Sequence, residues 1–233
     1  MRHFPQISAS LVVLALLVSA PMAHASQSGC ADAGLSTLSN EQTINKYDVL
    51  RNGKKIGTHA IRFEPGPGGL RVIAETKMEV RILFITAYRY HYVSEELWCE
   101  NTLQQVTTRV DDNGNRSETD AQWQGDGYFV RRNDETGFIQ GPIVSTNHWN
   151  DRATSVDAVF NTITGKINAV SVTPDVNTAP RLSGQEYEMR GELNIDTYYD
   201  SAGNWQGMVF NHKDGSEIEF RCIDCGNTPE GPA

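Results

Sequence analysis

Leu70-Arg71-Val72-Ile73-Ala74-Glu75-Thr76-Lys77-Met78-Glu79-Val80-Arg81-Ile82-Leu83-Phe84 decides the fold. Leu70, Val72, Ala74, Thr76, Met78, Val80, Ile82 and Phe84 share one parity, while Arg71, Ile73, Glu75, Lys77, Glu79, Arg81 and Leu83 share the other. Successive side chains of a strand point to opposite faces, so this run sets an apolar face against a core and a mostly charged face in water. A strand of 15 residues is long, and a bend or bulge is expected within it.

Outward from this run the pattern repeats. Upstream, Pro65-Gly66-Pro67-Gly68-Gly69 stops a ladder, and Asn52-Gly53 joins a strand with Tyr47 and Val49 to one with Ile56, Ile61 and Phe63. Downstream, Tyr88, Tyr90 and Tyr92 face one way and Arg89 and His91 the other. Glu95, Glu96 and Trp98 follow, then short strands separated by Asp112-Asn113-Gly114-Asn115, Gly125-Asp126-Gly127 and residues 133–137. Gly141 to Asn150 reads as a loop and Asp151 to Thr162 as a short helix or a strand, with Val156, Val159, Phe160 and Ile163 fitting a helical face loosely. The closing strands alternate again through Glu186–Tyr199, Trp205–Phe210 and Ile218–Cys222. The expected fold is all-β: a single curved antiparallel sheet, a half-barrel or open barrel, with a loop or short helix around residues 141–163. Residues 46–225 form the single β domain, 26–45 a flexible arm, and 226–233 a disordered tail.

The chain opens with a 14-residue apolar run, Ile7 to Ala20, followed by Ala23-His24-Ala25. That is the form of a signal peptide cleaved near Ala25, and the run is too short to span a bilayer. Its removal leaves 208 residues with 19 basic and 29 acidic side chains, a net charge of −10. Such a charge opposes phosphate backbones, which argues against nucleic acid. No transmembrane segment follows, so the expected location is periplasmic or secreted. All four cysteines, Cys30, Cys99, Cys222 and Cys225, lie beyond the leader, and an even count in an exported chain reads as disulfides of undetermined pairing. Cys222-Ile-Asp-Cys225 ends a strand rather than opening a helix, which favours a structural bond over a redox pair. Lipidation at Cys30 is the minor alternative.

At the closing hairpin the sequence resembles a family of exported bacterial proteins of unknown function. The residues that carry the resemblance are Tyr198-Tyr199-Asp200, Gly203-Asn204-Trp205, Phe210 and Asp214-Gly215-Ser216-Glu217-Ile218-Glu219-Phe220. Support comes from Tyr47-Asp48-Val49, Ile56-Gly57-Thr58-His59, Glu96-Leu97-Trp98 and the Ser145 to Asn150 loop. The resemblance covers residues 46–221 and implies a curved antiparallel sheet similar to the periplasmic lipoprotein-carrier half-barrels. It implies no catalytic residue, and the cysteine pair is not part of its pattern.

Three features are candidates for function. Tyr88, Tyr90 and Tyr92 with Trp98 form an aromatic face suited to an apolar or amphipathic ligand. His148 and Trp149 occupy a loop of the kind that carries sites on β scaffolds. The alternative for both is plain packing. His59, His91, His148 and His212 lack a close-spaced ligand pair, so no metal is assigned. Glu95-Glu96, Asp111-Asp112, Asp196 and Asp200 read as solvated surface, because adjacent acids on a strand point to opposite faces. No catalytic residue or cofactor is assigned. The expected function is that of a non-enzymatic exported binding protein for an apolar or amphipathic ligand such as a lipid. The alternatives are an envelope enzyme using His148 and a protein-interaction module of envelope assembly. No protein partner is identified.

Overall fold

The computed structural model describes residues 42–66, 69–82, 85–99, 101–176 and 180–229. The expected leader, most of the arm, Cys30, Leu83, Phe84 and the last residues of the tail lie outside them.

Fourteen antiparallel strands form one sheet in the order β8-β7-β6-β5-β4-β3-β2-β1-β14-β13-β12-β11-β10-β9. The first half is a meander: β1 (Thr43–Arg51), β2 (Lys54–Gly66), β3 (Gly69–Ile82), β4 (Ile85–Cys99), β5 (Thr102–Asp112), β6 (Asn115–Trp123), β7 (Gly127–Arg132) and β8 (Glu135–Gln140). Its first turn places Asn52 and Gly53 at φ +47° and +76°, the pair of left-handed positions of a tight hairpin. The second half is β9 (Ala158–Asn161), β10 (Lys166–Pro174), β11 (Gln185–Gly191), β12 (Ile195–Tyr199), β13 (Trp205–Asn211) and β14 (Glu217–Asp224), which pairs with β1 and joins the halves. Among the described residues no helix is long and apolar enough to cross a membrane.

The sheet curls without closing. Register slips at Val49/Leu50, Val80/Arg81, Leu97/Trp98 and Tyr198/Tyr199 bend the strands, as bulges do. The slip at Val80/Arg81 is the bend expected of the long strand. The sheet ends at β8 and β9, and among the described residues no ladder joins the two. Instead the turn after β9 rests on β6 and β7: the Ile163 carbonyl accepts hydrogen bonds from Thr119 Oγ1 and Arg132 Nε, both at 3.2 Å.

Inside the curl, Tyr47, Val49, Ile61, Phe63, Leu70, Val72 and Ala74 make one buried cluster with Trp98, Leu103, Val106, Tyr128 and Phe220. Outside, β2 to β6 carry cross-strand ion pairs such as Arg71–Glu64, Arg71–Glu95, Arg89–Glu79 and Arg109–Glu118. Glu64 is buried beside Arg71, whereas the Arg89–Glu79 and Arg109–Glu118 pairs are largely exposed and contribute little.

Two boundaries differ from the expected ones. β1 starts at Thr43, inside the expected arm, because Thr43, Ile44 and Asn45 continue the ladder with Phe63, Arg62 and Ile61. The tail is ordered through residue 229 because Asn227 ties it to β1: its Nδ2 donates to the Ile44 carbonyl at 3.2 Å, and its N–H to Asn45 Oδ1 at 3.1 Å. Between the short helix and the strand that the sequence leaves open for residues 151–162, the structure has one after the other: a 3-10 turn, Asp151–Thr154, and then strand β9. Asn150 caps that turn, its side chain accepting from the Arg152 N–H at 3.1 Å.

Gly207 fixes the approach of β13 to β14. Its φ is +141°, and a Cβ there would lie 2.0 Å from the Phe220 carbonyl oxygen. Gly207→Ala is therefore expected to lower unfolding stability by more than about 1 kcal/mol, read as a drop in the urea midpoint at unchanged m-value.

Candidate functional site

The interior of the curl is packed at one end and open at the other. The open end is a cavity of about 600 Å³ whose lining includes Ile56, Met78, Val80, Tyr88, Tyr90, Tyr92, Met208, Phe210 and Ile218. Two bulges shape it. The slip at Val49/Leu50 leaves Ile56 without a cross-strand partner, and this extra residue faces the cavity. The slip at Tyr198/Tyr199 skips Gln206, so Trp205 faces inward with Met208 and Phe210 despite its odd spacing.

Along each strand the cavity runs from an exposed mouth to a buried floor. On β4 the series is Tyr88, Tyr90, Tyr92; on β3 it is Val80, Met78, Thr76; on β14 it is Ile218, Phe220. Arg51, Asp112, His212 and Asp214 stand at the mouth, where Arg51 Nη2 meets Asp214 Oδ2 at 2.5 Å. The floor is His59, Thr76, Tyr92, Asn147, His148, Thr162 and Trp205, all buried.

One carboxyl group holds that floor in place. Glu96 is 0% exposed. Its Oε2 accepts the indole N–H of Trp98 and of Trp149, each at 2.8 Å, and its Oε1 accepts Asn147 Nδ2 at 2.5 Å. Trp149 then packs edge-on to Phe63 and Trp98, with ring centroids 5.6 and 5.4 Å apart. Asn147 also donates to Ser94 Oγ at 3.0 Å, and its Oδ1 accepts from the Tyr92 hydroxyl at 2.5 Å. Segment 141–150 is thus a plug drawn into the barrel and bonded to β4. Glu96 corrects the surface reading of Glu95-Glu96: only Glu95 faces out, to Arg71, because the strand's alternation turns Glu96 inward between Ser94 and Trp98.

His148 lies at the tip of the plug with φ +59°, a conformation that costs a non-glycine residue about 1–3 kcal/mol. Its carbonyl accepts the Tyr199 hydroxyl at 2.9 Å, and its ring stacks on Trp205 at 5.8 Å. His59 reaches the same Trp205 from β2 at 5.7 Å, with Nδ1 2.8 Å from Thr76 Oγ1. His59 Nε2 and His148 Nδ1 are buried without a hydrogen-bond partner. Burial, reinforced for His59 by the neighbouring His148, pushes the two imidazoles down to about 3 and about 4, so both are neutral at pH 7. Burial also pushes the Tyr92 hydroxyl up to about 12, which keeps it a donor.

Of the residues expected to meet a ligand, Tyr88, Tyr90, Tyr92 and His148 line the cavity. Trp98 and Trp149 do not: their rings are consumed in the Glu96 clamp, below the floor. Ser145 Oγ accepts from the Asn147 N–H at 3.4 Å. His91 points outward to Glu75, so it does not join His59, His148 and His212. Among the described residues no three side chains are grouped to hold a metal. The sequence points to His59 only as a possible metal ligand and singles out neither Asn147 nor Trp205; the alternation of His59 with Ile61 and Phe63 is the signal that places it inside. Cys222 and Cys225 are disulfide-bonded, with Cα atoms 6.0 Å apart, and Cys99 is disulfide-bonded as well.

Two outcomes follow from this geometry. Glu96→Gln turns an N–H toward donors that need an acceptor, and it should cost about 1–3 kcal/mol in urea unfolding, with Glu96→Ala costing more. The buried histidines bind protons only when the chain unfolds, so the unfolded state holds more protons below about pH 6.5. Stability should therefore fall as pH drops from 6.5 toward 4, by up to about 1.4 kcal/mol per pH unit per histidine. His59→Phe should flatten the slope measured between pH 6 and 5.

Comparison with known proteins adds the fold but no chemistry. No curated protein matches the chain. A similar solved structure is the beta-barrel-like protein of domain of unknown function DUF1849 from Brucella abortus, with a TM-score of 0.51 and 9% identity over 81% of this chain and 97% of that one. At that identity the likeness shows the all-β, barrel-like fold alone, and it does not reach the expected lipoprotein carriers. The sequence family that matches spans residues 47 to 223, most of the described sheet. The chain belongs to this family, DUF6134, a domain of unknown function.

Proposed function

We propose that the protein is an exported, non-enzymatic binding protein that holds an apolar or amphipathic small molecule, such as a lipid or acyl chain, in the cavity of its curled sheet. The observation that carries the reading is the unfilled half of the barrel. Protein interiors pack to near-crystalline density, and a gap of about 600 Å³ walled by Met78, Val80, Tyr90, Met208 and Phe210 departs from that. Its size lies in the range of small-molecule sites, and its wall is mainly apolar with a few convergent polar groups. Residues 1–25, read as a leader, supply the export half of the reading. The resemblance to lipoprotein-carrier half-barrels points the same way, toward an acyl chain.

Native mass spectrometry of the protein purified from a bacterial periplasm tests both halves. The expected spectrum shows a chain beginning at Ser26 with an added mass that organic extraction removes. The extracted protein should enhance the fluorescence of N-phenyl-1-naphthylamine, an uncharged apolar probe. Met208→Trp, which narrows the cavity, should weaken that enhancement while leaving the far-ultraviolet circular dichroism unchanged. A bare protein that also leaves the probe dark in its wild-type form would overturn the reading.

A further inference from the structure

The cavity is not equally apolar along its length, and the asymmetry points to the chemistry of what it takes. Its charged lining residues, Arg51, Asp112 and Asp214, stand at the mouth. Its wall is mainly Met78, Val80, Met208, Phe210 and Ile218, which offer only contact, with Tyr88 and Tyr90 adding a hydroxyl each nearer the mouth than the floor. Its floor is polar, and most of that polarity is already used. Tyr92 bonds Asn147 and Thr162, Asn147 bonds Glu96 and Ser94, and Thr76 bonds His59. What is left over is the imidazole of His148, with the ring of His59 beside it. Each has a sealed nitrogen without a partner, Nε2 of His59 and Nδ1 of His148, while His148 Nε2 is not sealed and makes no hydrogen bond among the described residues either, so it is the atom a ligand in the cavity can reach. Buried polar atoms are satisfied in the great majority of cases, and those that are not call for an explanation.

Resting on the binding reading above, we propose that the ligand enters head-first and that its head is an uncharged hydroxyl, bonded to the His148 imidazole at the floor. Its apolar part then lies along the methionine and phenylalanine wall toward the mouth. A neutral imidazole keeps one nitrogen as an acceptor, and a hydroxyl can donate to it where an ether cannot. A carboxylate or ammonium in the same place would be buried away from the mouth's charges, which is strongly unfavourable. Burial keeps both imidazoles neutral at pH 7, so neither offers a carboxylate its counter-charge. The left-handed backbone at His148 fits this role, since it holds the ring at the floor against a local conformational cost.

The test is displacement of N-phenyl-1-naphthylamine at pH 7.5 by four ten-carbon probes: 1-decanol, its ether isomer 1-methoxynonane, decanoate and decylammonium. Decanol is expected to bind about 10-fold or more tightly than the ether, which accepts but cannot donate, and than either ion. His148→Gly removes the ring at a φ that glycine adopts freely, so the fold should persist. It should lose the preference for decanol over the ether, each displacement being read against the fluorescent probe's affinity measured for that same variant. Equal displacement by decanol and the ether, or a preference unchanged in His148→Gly, would overturn the head-group assignment and leave the cavity as a binding site. Failure of wild-type protein to bind the fluorescent probe would instead remove the binding reading itself.

Discussion

The interior of this protein is organised by one buried carboxyl group accepting three N–H donors. Glu96 takes two indoles and one carboxamide, and two of those three donors come from the plug segment rather than from the sheet. A loop has little reason to run through a barrel, because its backbone groups would go unpaired there. Here the plug is admitted because its side chains bond β4 and its backbone pairs locally with β9, where Phe160 N–H reaches the Val144 carbonyl at 2.7 Å and Thr146 N–H the Phe160 carbonyl at 3.0 Å. With the plug fixed, the packed half of the barrel and the open half acquire a boundary, and that boundary is the floor of the cavity.

The bulges matter as much as the clamp. A strictly alternating β13 would turn Trp205 outward, removing the ring on which both His59 and His148 rest. A strictly alternating β2 would leave Ile56 on the wrong face. The cavity is therefore built from departures from regular pleating, laid on a sheet whose remaining residues obey it.

This division explains what could be read in advance. The Leu70–Phe84 alternation and the Asn-Gly turn announce the antiparallel meander, because both are local and strong. Tyr88, Tyr90 and Tyr92 could be assigned to one face for the same reason. Glu96 was legible too, since its parity with Tyr92 and Trp98 places it inside; the expectation that acids seek water overrode the alternation. Trp149 and Trp98 looked like ligand contacts because exposed and buried tryptophans are indistinguishable without knowing what accepts their N–H. The plug's position depends on pairing Trp149 and Asn147 with a residue some fifty positions earlier, and no local pattern contains that. Trp205 was hidden by a one-residue slip that shows only when β12 and β13 are laid side by side.

The open seam between β8 and β9 has a further meaning. A closed barrel is governed by an arithmetic in which strand number, tilt and stagger must agree, so adding or removing a strand retunes every other one. A sheet that curls past itself without a closing ladder is free of that arithmetic. Strands can be gained or lost at the β8 edge while β1 to β4, β13 and β14, which frame most of the cavity, keep their register; the β9 edge is tied to the plug. Chains of quite different length can then share one interior, and the β8 edge becomes the part of the architecture that is free to drift.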